Sequence, residues 1–144
     1  MLDQEISLRI IVENAPPRIR WMSQLGPGEL VAPTSVAGNT FTFDFVVRAI
    51  HSKTGALDFR GKAVQGKLGE RFVYLNSESA PDARGFDRRA KIHLKKITME
   101  QIEKLAKKPN AILQTRFHGT SKDGGAACAS VPLLGGWEIV ASAK

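Results

Sequence analysis

Only one cysteine, Cys128, occurs in the 144 residues, so no internal disulfide can form. This usage fits a reducing compartment, and a small buried hydrophobe is the plain reading of that thiol. No apolar run approaches the roughly 18 residues that suggest a membrane span. The opening MLDQEISLRIIVEN has no basic segment leading into an apolar stretch and a small-residue cleavage site. No secretory signal is therefore expected, and the expected location is cytoplasmic without membrane association. No zinc spacing or calcium loop is present, and His51, His93 and His118 are far apart; neither a metal nor a cofactor is expected. No nucleophile elbow appears, and no internal repeat or domain boundary breaks the chain.

Charge of one sign is concentrated. The net charge is +7, yet residues 84–122 alone hold eleven basic and three acidic side chains. Such a local field draws phosphates, nucleic acid or acidic surfaces. The plainer reading is a solvated face that keeps the protein soluble.

Hydrophobic alternation at period two marks strands. Ile6, Leu8, Ile10 and Val12 share one face of a strand over 6–13, which the Pro16-Pro17 pair ends. A weaker strand spans 18–25. The stretch to Asn39 reads as loop, with Gly26, Pro27, Gly28, Pro33 and Gly38. Residues 41–50 give the clearest strand, because Phe41, Phe43, Phe45, Val47 and Ala49 lie on one side. A returning strand is expected over 57–65. In 70–76 both faces are apolar, Phe72 and Tyr74 against Val73 and Leu75, so this strand is expected to be central or covered on both sides.

Ala90, Ile92 and Leu94 alternate with Lys91, His93 and Lys95. Thr98 then caps a helix over 98–108, with Gln101 in capping-box position and an apolar stripe of Met99, Ile102, Leu105 and Ala106. Strands are expected over 111–118, 126–131 and 137–140. The expected fold is one mainly β domain over 1–144: a partly closed barrel of about eight short antiparallel strands with one helix. A two-sheet β-sandwich is the alternative.

Four segments, ISLRIIVENAPP, VQGKLGERFVYLN, FDRRAKIHL and GTSKDGGAACASV, together resemble a bacterial protein family known only as a domain of unknown function. The resemblance spans nearly the whole chain and implies a free-standing domain. It implies no activity, cofactor or catalytic residue for any position.

The candidate site follows the 77–91 loop. Arg71, Arg88, Arg89 and Lys91, with Tyr74, are the residues from which a small anionic ligand or an acidic protein surface would be held. Arginine forks match carboxylate and phosphate oxygens. Alternation puts Arg89 and Lys91 on one face and Arg88 on the other, so a subset converges. Single-stranded nucleic acid is a second reading, with Tyr74, Phe86 and Trp137 as stacking candidates. An enzyme with an unrecognised pocket is the third. Asp44 and Asp58 on a hairpin are its carboxylate pair, although two surface acids beside Arg48 and Arg60 are the simpler account. Residues 119–125 read as a hairpin turn rather than a phosphate loop.

Overall fold

The computed structural model describes residues 2–15, 19–25, 30–51, 57–61, 72–78, 85, 88–94, 97–108, 110–119 and 137–141. These form strands β1 (Leu2–Glu13), β2 (Trp21–Leu25), β3 (Leu30–Val31), β4 (Ser35–Ala37), β5 (Thr40–His51), β6 (Leu57–Gly61), β7 (Phe72–Ser77) and β8 (Arg88–His93). Helix α1 (Met99–Ala106) follows, then β9 (Ala111–His118) and β10 (Glu138–Ala141).

The protein is mainly β, as the alternation predicts. One sheet runs β10-β9-β1-β5-β4, with β6 also on β5; the other runs β3-β2-β7-β8. Among the described residues neither sheet closes on itself, so the arrangement accords with the sandwich alternative rather than the barrel. Both sheets and the helix share one core: Leu8, Ile10, Phe43 and Leu113 from the larger sheet, Trp21, Val73, Leu75 and Ile92 from the smaller, Ile102 and Leu105 from α1. The Trp21 and Phe41 rings meet across the two sheets with centroids 6.3 Å apart.

Alternation explains β1 and β5, whereas β9 is buried on both sides over residues 112–115. In β1 Ile6, Leu8, Ile10 and Val12 are buried, while Ser7, Arg9, Ile11 and Glu13 are half-exposed. Pairing with β5 brings Ile10 against Phe43 and Leu8 against Phe45. β7 is interior to its sheet, between β2 and β8, as its two apolar faces require.

Two features depart from expectation. β1 pairs with β9 in parallel, so the strands are not all antiparallel. Parallel neighbours need a long crossover, and here the second sheet and α1 intervene between them. The stretch read as loop also contains β3 and β4. Ala37 pairs with Thr40, which leaves Gly38-Asn39 as a two-residue turn. Gly38 has φ 60° at the first central position, where a type II′ turn demands a glycine. The strand expected over 126–131 lies outside the described residues.

Helix α1 follows its sequence signals. Thr98 Oγ1 accepts from the Gln101 amide, and Gln101 Oε1 accepts from the Thr98 amide. Ile102 and Leu105 are buried. Ala106 is exposed instead of extending the stripe, because the helix reaches its C-cap at Lys107. Gln101 also donates from Nε2 to the Trp137 carbonyl at 2.9 Å, which ties the helix start to β10. Gln101→Ala removes the capping acceptor and that tie together. The expected cost is about 1–2 kcal/mol in denaturant unfolding, with Glu103→Ala as a near-neutral control on the exposed side. No described helix is long and apolar enough to cross a membrane.

Candidate functional site

The smaller sheet positions most of the candidate residues. Its register sets Tyr74 opposite Lys91, Asn76 opposite Arg89 and Ser77 opposite Arg88. Val73, Leu75 and Ser77 are buried towards the core with Trp21 and Ile92, so their side of the sheet is the inner one. Tyr74, half-buried, and Asn76, itself 2% exposed, alternate to the other, outer side, and the register positions of Arg89 and Lys91 go with them. Arg88 falls at the inner position. For Arg88, Arg89 and Lys91 the described feature is this backbone register. Arg71 lies outside the described residues, as do Phe86 and Cys128.

Across β7 the same outer side receives β2, with Gln24 opposite Tyr74 and Met22 opposite Asn76. One step further, Arg20 and Glu78 flank the paired strands. The Glu78 carboxylate accepts from the Arg20 backbone amide at 3.0 Å, from Nε at 3.2 Å and from Nη2 at 3.1 Å. The Glu78 amide donates back to the Arg20 carbonyl. The Glu78 side chain is 5% exposed and that of Arg20 69%, so a sunken carboxylate is clamped by a surface guanidinium. Hydrogen bonding to Glu78 raises the Arg20 pKa above its ordinary value, reinforced by charge attraction. Arg20 therefore stays charged throughout the neutral range.

This clamp pairs an acid on that side of the sheet. Among the described residues on that side, Glu78 is the one acid, and Arg20 satisfies it. The register positions of Arg89 and Lys91 lie on the same side. The outer face of the larger sheet is different. There Arg9 Nε donates to Asp44 at 2.7 Å, and Arg116 lies 3.5 Å from Glu13. One register row runs Glu138, Gln114, Arg9, Asp44, with a Gln114–Glu138 hydrogen bond of 3.4 Å. The described ion pairs of this face join its charges to one another.

The other candidate groupings come apart. Asp58 sits opposite Ile50 on the β5–β6 hairpin, six residues along β5 from Asp44, or roughly 20 Å at about 3.4 Å per residue. A carboxylate pair is excluded, and Asp44 serves Arg9. His93 is in β8 and His118 in β9, on different sheets. His118 Nδ1 lies 3.3 Å from Nδ2 of Asn14. No cluster of metal-ligating side chains occurs among the described residues. Of the stacking candidates, Trp137 is only 9% exposed and belongs to the core, so no base can stack on it. Of residues 119–125, Gly119 alone is described.

Arg20 and Glu78 carried no signal in the sequence by themselves. Each stands just outside a strand, and only the antiparallel pairing of β2 with β7 brings them together.

The chain belongs to a family of unknown function (DUF5990), whose model matches residues 6–140. That span contains the central strands of both sheets, the helix and the whole face just described. No curated protein and no solved structure matches the chain.

Proposed function

For a member of a family without an assigned activity, we propose a binding role: the outer face of the smaller sheet holds a small anionic ligand through Tyr74, Arg89 and Lys91. The observation that carries this reading is the register of β7 with β8, in which Lys91 faces Tyr74 and Arg89 lies two positions away. The Arg20–Glu78 pair supports it by removing the one described acid of that face from competition. An arginine fork takes two oxygens of a carboxylate or phosphate, a lysine adds a point charge, and a tyrosine adds a donor and an apolar flank. Arg88, at an inner position, is not part of this set. The same chemistry would accept the acidic side chains of a protein partner.

Native mass spectrometry of gently purified protein reads a retained ligand directly. Titration with pyrophosphate and with citrate then tests the face. Each charge-assisted contact is worth about 1.5–3 kcal/mol, so Arg89→Ala and Lys91→Ala are each expected to weaken binding at least tenfold. Lys104→Ala, on the exposed side of α1 and paired with Glu100, is expected to leave it unchanged. Equal weakening by all three variants would mean diffuse attraction to a basic surface and would reject the site.

A further inference from the structure

The inner side of the smaller sheet carries two polar groups with no hydrogen-bond partner among the described residues: Trp21 Nε1 and Ser23 Oγ. Trp21 is 2% exposed and Ser23 is 0% exposed. They lie two residues apart on β2, hence on the same side of the strand. Both atoms have been taken out of water, and no described residue offers either a replacement.

A further buried polar residue lies beside them. Ser77, fully buried, pairs in register with Trp21, and Ser23 pairs with Leu75. Indole nitrogen can only donate, and a serine hydroxyl can donate or accept. A single oxygen that accepts from both would complete the pair. Buried polar groups left unserved by protein atoms are commonly served by a small bound molecule with two or more such partners.

We propose that this inner corner is a binding site for one acceptor oxygen, bridging Trp21 Nε1 and Ser23 Oγ. The oxygen belongs either to an ordered water or to a small carboxylate; the two share the same recognition chemistry. The site is on the opposite side of the sheet from Tyr74, Arg89 and Lys91 and does not depend on the reading given for that face.

The test combines indole NMR with one conservative substitution. The chain has two tryptophans, and Trp137→Phe assigns their indole signals. An occupied site gives Trp21 a downfield, slowly exchanging indole proton. Ser23→Ala then shifts that signal and lowers the thermal unfolding midpoint, because a satisfied hydroxyl has been lost. A cross-peak from the indole proton to water identifies water as the guest, and a saturable shift on adding acetate identifies a carboxylate. An indole proton at the position of a free N–H overturns the proposal. So does a midpoint unchanged or raised by Ser23→Ala, since removing a truly orphaned hydroxyl costs nothing.

Discussion

Phe43→Ala lowers the unfolding free energy by roughly 3–5 kcal/mol, the range for deleting a fully buried aromatic ring. Phe43 is 0% exposed and lies directly opposite Ile10. The strand that carries it is bonded to β1 on one side and to β4 and β6 on the other. The β1 pairing at Phe43 and the Asp44 amide bond to Thr34 Oγ1 hold the backbone there, which limits collapse into the space the ring leaves and pushes the cost towards the upper end. Phe41 and Phe45 occupy the same face but are only partly buried. Their alanine variants therefore lose less, and the expected order is Phe43 above Phe41 and Phe45. Equilibrium unfolding in urea reads all three. If Phe45→Ala cost as much as Phe43→Ala, the centre of the core would lie further along β5 than described.

That order separates what local sequence encodes from what it does not. Residues 41–50 and 6–13 alternate because one side faces the core, and 111–118 emerged as a strand with the observed ends although Ile112 to Thr115 are buried on both sides; the first strand begins four residues earlier than expected, at Leu2. The helix was equally legible, since a capping box is a contact between residues three apart. β3 and β4 were not. They have two and three residues, all exposed, so no apolar alternation marks them. Their one local signal was Gly38-Asn39 between Val36-Ala37 and Thr40, a dipeptide suited to a tight hairpin. Barrel and sandwich bury the same alternating positions, so periodicity could not choose between them.

The candidate face was half legible for the same reason. Alternation within β8 separates Arg88 from Arg89 and Lys91, and the register agrees. What those residues lie opposite depends on partners in other strands. Tyr74 against Lys91 follows from the β7–β8 register, and the Arg20–Glu78 clamp joins residues 58 apart in sequence. No local pattern encodes a contact of that separation. It is a product of which strands the folded chain sets side by side.

The same dependence on distant neighbours gives Gly119→Ala its effect. The expected cost is about 3 kcal/mol, from forcing a methyl group into packed backbone. A Cβ at Gly119 would stand 2.8 Å from Ala15 Cα, 2.9 Å from Val12 Cγ1 and 3.1 Å from Ala15 Cβ. The Val12 methyl can rotate away, but the Ala15 Cα belongs to the main chain and cannot. Gly119 also donates its amide to the Glu13 carbonyl at 2.7 Å, so retreating from Ala15 strains the end of the β1–β9 pair. Gly38 provides the contrast. Nothing lies within 4 Å of a Cβ there, so Gly38→Ala costs only the backbone strain of its positive φ, about 1–2 kcal/mol. Denaturant midpoints rank the two, and Val12→Ala added to Gly119→Ala is expected to rescue little. Full rescue would assign the closeness to the valine side chain. Tolerance of Gly119→Ala alone would mean that β9 does not close against β1 in the register that sets Glu13 beside His118.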